Sequence, residues 1–251
     1  MAGIWDRLSA KLTDTHCHIH HYDNPDHVIE LIKDCGMKVH CVTVHPDEFP
    51  TCCKKFTDYP NIVPSLGLFP LNVKGEGILE KFFEYFDQTR FIGEIGLDYS
   101  IEDEKEMELQ RSVFKEIIAA CDKSGNKILS IHSRRSAEDV LRIIGPDFKG
   151  KAIMHWYSGP VELIQNAPEN IYFSINTAML QSRQGKKVIA GLERSQVLTE
   201  TDGPYVKINN QPALPADTKN VVNSLAVNWG ISIEETMEIL QDNYQRVISD
   251  Y

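Results

Sequence analysis

Phe91-Ile92-Gly93-Glu94-Ile95-Gly96-Leu97-Asp98 decides the fold of this chain, being an apolar strand with a carboxylate in its middle and glycine at two close positions. Burying an unpaired carboxylate costs on the order of several kcal/mol. No basic residue lies within the run, although Arg90 adjoins it, so Glu94 calls for a cation or for strong donors from elsewhere. Three more apolar runs end on side chains of the same chemical kind: Ile128 to Ile131 leads into His132, Ala152 to Met154 into His155, and Val197 to Thr201 into Asp202. A further run leads into Asp14-Thr15-His16-Cys17-His18. Residues so far apart converge only if their strands end side by side, and a parallel barrel gathers strand ends around one pit at its C-terminal rim.

Strand-like runs end near Asp14, Val44, Gly67, Glu94, His132, His155, Asn176 and Asp202, at intervals of 21 to 38 residues. That is the length of one βα unit. Between them lie helical patterns, the clearest from Asp103 to Ser124, where apolar residues recur at three- and four-residue steps before Gly125. Ile128-Leu-Ser-Ile131 and Val197-Leu-Thr199 read as strands covered on both faces, which argues against an all-antiparallel fold. Two last helical patterns, about 217–229 and 233–241, complete the final crossover. The expectation is an α/β fold, a (β/α)8 TIM barrel of the amidohydrolase-like metal-dependent hydrolase type, as one domain over residues 1–251 with a short extension at 1–10.

A formal net charge of −10 argues against a broad basic surface gripping long duplex, so a nucleic acid would be held locally. No run reaches the roughly 20 apolar residues of a membrane span, and the first ten residues hold no signal-peptide core. The expected location is cytoplasmic. The six cysteines form no C-x-x-C pair and read as reduced thiols.

Asp14, His16 and His18 alternate, so an extended segment puts them on one side; the histidines then hold one divalent ion while Asp14 orients a ligand imidazole. Glu94 reads as a bridge between two ions, and Asp202 as a ligand of the first that also accepts a proton from its water. His132 and His155 follow neighbouring strands. Imidazoles with carboxylates suit Zn, Mn, Fe or Co, and Mg where water and substrate oxygens complete its shell. Two ions would lower the pKa of a bound water and clamp the attacking and leaving oxygens. Arg134 and Arg135 offer forked donors for a phosphate or form a solvated loop. Trp156, Tyr157 and Tyr205 offer rings for stacking on bases or serve to anchor loops.

These motifs resemble the TatD-type metal-dependent deoxyribonucleases, a branch of the amidohydrolase-like barrels. The likeness runs nearly end to end, through Thr13-Asp-Thr-His-Cys-His18, Ile92-Gly-Glu-Ile-Gly-Leu-Asp-Tyr99, Gln110 and Phe114, Ile131-His-Ser-Arg134, His155-Trp-Tyr-Ser-Gly159, Leu198-Thr-Glu-Thr-Asp-Gly-Pro-Tyr205 and Asp242-Asn-Tyr-Gln-Arg-Val247. The resemblance implies that His16, His18, Glu94 and Asp202 hold one metal and Glu94, His132 and His155 the other. It implies hydrolysis of DNA phosphodiesters at ends or in single strands. The wording His132-Ser-Arg-Arg135, His155-Trp-Tyr-Ser-Gly159 and Asn176-Thr-Ala-Met-Leu180 is similar to the TatD-type subunit of Qat anti-phage defence clusters, which implies partner proteins.

One departure stands out. Where the family usually carries G-x-H-P, with a histidine reaching the substrate phosphate, this chain has Gly67-Leu-Phe-Pro70. Phe69 cannot donate a hydrogen bond, and His45 is the nearest substitute along the chain. Phe69 and the amino-terminal extension keep open a partly silenced barrel that binds nucleic acid or a partner. Hydrolysis of a small ester or amide is the other rival, against which Glu94 and the Arg134-Arg135 pair speak weakly.

Overall fold

The structure is a computed structural model that describes residues 2–75, 77–165 and 167–249. Among these residues eight parallel strands surround the core: β1 (Thr13–Cys17), β2 (Lys38–Val42), β3 (Ile62–Ser65), β4 (Phe91–Asp98), β5 (Ile128–Arg134), β6 (Lys151–His155), β7 (Ile171–Ile175) and β8 (Val197–Thr199). They pair in chain order, as ladders β1-β2-β3 and β4 to β8. Two seams close the ring. At the first, Gly93 N–H donates to Leu66 O at 2.8 Å and Leu66 N–H to Phe91 O at 2.9 Å. At the second, β8 is too short for a ladder, and threonine hydroxyls stitch it to β1: Thr199 Oγ1 donates to Thr13 O at 2.6 Å and Thr15 Oγ1 to Thr199 O at 3.1 Å.

The amino terminus forms α1 (Ala2–Leu8), whose Trp5 and Leu8 pack on the core, so the extension docks on the barrel itself. The covering helices follow as α2 (Pro25–Cys35), α3 (Glu48–Lys55), α4 (Ile78–Tyr85), α5 (Glu104–Ser124), α6 (Ala137–Ile144), α7 (Thr177–Gln181), α8 (Arg183–Gly191), α9 (Thr218–Trp229) and α10 (Ile233–Ile248). The longest, α5, begins where Asp103 accepts from the Lys105 and Glu106 amides and ends at Gly125 in the left-handed region. It buries Val113, Phe114, Ile117, Ile118 and Cys121 on the barrel. Gln110 on the same face has a second task, accepting the Asp98 N–H at 2.8 Å and so fixing the end of β4.

Close approach dictates glycine at positions 67 and 96. A Cβ on Gly67 would lie 1.6 Å from Thr43 O, and one on Gly96, at φ +139°, would lie 2.0 Å from His132 O. Strand β4 therefore nests against its neighbours with no side chain between. It runs four residues past Glu94, to Asp98, and its register shifts between Ile92 and Ile95 before pairing resumes along β5.

The motif Asp242 to Val247 proves structural. Asn243 Nδ2 donates to Arg194 O and Val197 O, each at 2.7 Å, and Tyr244 meets His40 Nε2 at 2.9 Å, so α10 plugs the end of the barrel opposite the strand C-termini. Burial, with Lys38 adding repulsion, holds the His40 pKa down to about 4 from its ordinary 6.5. The unfolded chain then binds a proton that the folded one refuses, so stability is full above about pH 6.5 and falls as pH drops towards 4. The depression corresponds to about 3 kcal/mol at its limit. His40→Gln, which keeps a polar partner for Tyr244, is expected to flatten denaturant-unfolding stability over that range; an unchanged acid limb would refute the assignment.

Candidate metal centre

Strand ends bring His16, His18, Glu94, His132, His155 and Asp202 into one cluster. Glu94 lies at its middle, and its two oxygens face different histidines. Oε2 is 3.7 Å from His16 Nε2 and 3.5 Å from His18 Nε2, while Oε1 is 2.9 Å from His132 Nδ1 and 3.7 Å from His155 Nε2. Asp202 Oδ1 closes the first lobe at 3.7 Å from His16 Nε2 and 3.5 Å from His18 Nε2. His16 and His18 aim their Nε2 atoms at one another across 3.2 Å.

Those separations match the edges of a coordination shell, since arms of about 2.0–2.1 Å at tetrahedral angles put donors about 3.3–3.4 Å apart. The electrostatics fit as well. Burial, then the nearby His155, lowers the His16 pKa to about 3, which leaves the neutral imidazole that binds metals. Burial would raise Glu94, but the imidazoles of His132 and His16 beside it outweigh that and hold the carboxyl well below its usual range. Burial would lower His155; Glu200 above all, with Asp202 and Glu94, raises it to about 10. The field at that spot therefore favours positive charge, whether imidazolium or cation. His18 Nδ1 is buried with no hydrogen-bond partner among the described residues, although each other imidazole of the cluster has one.

Several of those partners were not legible as such in the sequence. His16 Nδ1 meets Ser130 Oγ at 2.7 Å, and His132 Nε2 meets Asp98 Oδ2 at 2.9 Å. His155 Nδ1 lies 3.0 Å from both oxygens of Glu200. Glu200 is fully buried and also accepts from Trp156 N–H, Asn176 Nδ2 and the Ser174 hydroxyl. The signal was available: Glu200 lies two residues before Asp202, inside a buried run. Asp14 corrects an expectation, since among the described residues its carboxylate makes no hydrogen bond to an imidazole. Its carboxylate accepts from the backbone N–H groups of His16 at 3.2 Å and Thr201 at 3.0 Å, and from the Thr201 hydroxyl, so it aligns β1 with the segment after β8.

The cluster opens into a cavity of about 680 Å³, whose lining includes Phe69, Asn72, Arg134, Trp156, Ser158 and Tyr205. Arg134 thus faces the pit. Arg135 does not line it, because its left-handed backbone (φ +57°) turns the chain away after β5. Trp156 and Tyr205, 37% and 55% exposed, present free ring surface beside His155 and His18. Tyr157 is corrected: it is fully buried edge-on against Phe173, its hydroxyl on Pro160 O at 2.8 Å, and it anchors the loop from inside. His45 pairs with Asp47 at 3.4 Å and does not line the cavity, so it is no replacement for a histidine at position 69. Phe69 stands edge-on to His132, ring centres 4.9 Å apart.

Comparison with known proteins gives relatives of the whole chain. The chain is 28% identical over 247 residues to an uncharacterized metal-dependent hydrolase of Methanocaldococcus jannaschii, covering 93% of this chain and 95% of the relative. It is 25% identical over 258 residues to the deoxyribonuclease TATDN3 of Homo sapiens, covering 92% of each. Its fold superposes on the crystal structure of YJJV, a TatD homolog from Escherichia coli, with a TM-score of 0.81 at 20% identity over 95% of this chain and 98% of that one. No helix among the described residues is long and apolar enough to cross a membrane. The model of the family described as TatD related DNase matches residues 13–249, and the chain therefore belongs to that family of metal-dependent hydrolases.

Proposed function

We propose that this protein cleaves DNA phosphodiester bonds at ends or in single strands, using two divalent ions. The observation that carries the reading is Glu94, whose two carboxylate oxygens face separate histidine pairs. His16, His18, Glu94 and Asp202 would hold one ion, and Glu94, His132 and His155 the other. Bound there, Zn, Mn or Mg would bring a water's pKa towards neutrality and neutralise charge on phosphate oxygens.

The side chains supply the rest. Asp202 Oδ1 faces His16 and His18, which leaves its second oxygen to take a proton from the attacking water. Arg134 lines the cavity and offers forked donors to the phosphate. Trp156 and Tyr205 give flat surfaces on which bases stack regardless of sequence. A pit of this size admits a strand end or an unpaired strand, and the chain's charge of −10 accords with such local capture.

The test is nucleotide release from end-labelled single-stranded DNA with Mn or Mg. Absence of cleavage by metal-replete protein on ends, single strands and duplex would overturn the reading. In the same assay Phe69→His is expected to raise cleavage roughly 10- to 100-fold, because one charge-assisted hydrogen bond to phosphate is worth about 1.5–3 kcal/mol. An unchanged rate would show that position 69 does not limit phosphate binding.

The His132-Ser-Arg-Arg135 and Asn176-Thr-Ala-Met-Leu180 wording supports a finer reading, that the enzyme works with partner proteins in phage resistance. A gene cluster carrying Glu94→Gln would then lose its protection in a phage plating assay. Retained protection would remove catalysis at this centre from that role.

A further inference from the structure

Beyond His18 the chain enters a one-turn 3-10 helix, Ile19–His21, where His20 leaves the cavity lined by the catalytic cluster. Its Nδ1 lies 3.5 Å from Sγ of Cys41 on β2. Cys52 on α3 completes a group whose donor atoms all fall within 4.8 Å of one another. Both cysteines are buried, at 0% and 2% exposure. Two buried cysteines need no explanation beyond packing. An imidazole nitrogen turned towards them does, because a polar ring has been brought into their pocket.

The other face of His20 fixes how that nitrogen is presented. Its Nε2 lies 3.1 Å from Glu48 Oε2, an oxygen that also accepts the backbone N–H groups of Val44 at 2.8 Å and His45 at 3.2 Å. With its Nε2–H on a carboxylate held this way, the neutral ring would present the Nδ1 lone pair to the sulfurs. Carboxylate on one ring nitrogen and metal on the other is how ligand histidines are usually oriented. A tetrahedral ion with arms of about 2.3 Å to sulfur and 2.0–2.1 Å to nitrogen would put N and S about 3.6 Å apart. The observed 3.5 Å is close to that.

We propose that His20, Cys41 and Cys52 form a separate site for a thiophilic cation of the zinc class. Each thiol releases its proton to solvent as it binds. The site ties the turn that follows His16 and His18 to β2 and α3, and so stiffens the segment that presents two ligands of the catalytic cluster. Its donor set of one nitrogen and two sulfurs selects softer ions than the nitrogen and oxygen donors around Glu94.

Titration of the intact protein with Co(II), under a phosphine reductant free of thiols, tests this without any activity measurement. Cobalt among imidazoles and carboxylates gives only visible d–d bands, whereas thiolate ligation adds a near-ultraviolet charge-transfer band. Wild type is expected to show that band at the strength of two thiolates. Cys41→Ser and Cys52→Ser should each halve it, the double variant should lack it, and Cys53→Ser should keep it whole. Glu94→Gln should leave it in place, which separates this site from the proposed catalytic centre. A wild-type protein with no thiolate band would overturn the proposal, and so would a band that survives in the double variant. The wild-type arm needs no variant to fold.

Discussion

Glu94→Gln is expected to abolish DNA cleavage, with a rate loss of roughly 1000-fold or more, and to leave less than the full complement of bound metal. The amide keeps the size of the carboxylate but loses its charge and replaces one acceptor with a donor. At this position both oxygens matter, since Oε2 faces His16 and His18 while Oε1 faces His132 and His155. Either orientation of the amide turns an NH2 group towards one pair of imidazoles and weakens that lobe. The imidazoles that hold Glu94 anionic against burial would no longer have a charge to face. Metal analysis beside the end-labelled assay distinguishes the causes. Full metal content with no cleavage would assign Glu94 a role in the chemistry itself, whereas wild-type metal content and rate together would remove it from the centre.

Glu200→Gln is expected to lower metal affinity by roughly 10- to 100-fold, although Glu200 is not among the ligands assigned above. Its carboxylate receives His155 Nδ1 at 3.0 Å, Trp156 N–H at 3.2 Å, Asn176 Nδ2 at 2.8 Å and the Ser174 hydroxyl, all in a fully buried pocket. Every partner is a donor, so an amide NH2 has no acceptor to meet and must crowd at least one of them. Leaving one such donor unsatisfied costs about 1–3 kcal/mol of stability. His155 would also lose the charge that chiefly raises its pKa to about 10, so the ring's orientation and its pull on a cation both weaken. Isothermal titration with Mn at fixed pH reads the affinity, and thermal unfolding reads the stability. Unchanged affinity with lowered stability would make Glu200 a purely structural residue.

The backbone at this site is held in conformations that side chains seldom adopt. Trp156 and Asp202 both have positive φ, +40° and +51°. Such strain costs on the order of 1–3 kcal/mol per residue and persists only where the surroundings over-determine it. Here the Glu200 carboxylate takes the Trp156 amide, and His16 O takes the Asp202 amide at 2.9 Å. The supporting bonds thus aim one carboxylate of the central cluster and one exposed aromatic ring together.

The sequence by itself determined the barrel and the membership of the central cluster. Eight apolar runs at βα spacing leave little choice of topology, and the runs into His132, His155 and Asp202, with His16 and His18, point to convergence at strand ends. Period and burial are local properties of a chain, so they can be read along it. What only the tertiary structure decided is which groups face one another across strands. Tyr157 and Trp156 are adjacent in sequence, yet one is buried and the other 37% exposed, because a left-handed residue between strand and loop sends them to opposite sides. Asp14 sits among histidines in sequence and bonds to backbone in space. Glu200 and Asp98 hold imidazoles contributed by other strands, and Gln110 reaches β4 from a helix. His20 meets Cys41 and Cys52 only because a turn, a strand and a helix pack at one corner of the barrel. Hydrogen bonds of this kind depend on register and on distances of a few tenths of an ångström between distant segments, and no local pattern encodes them.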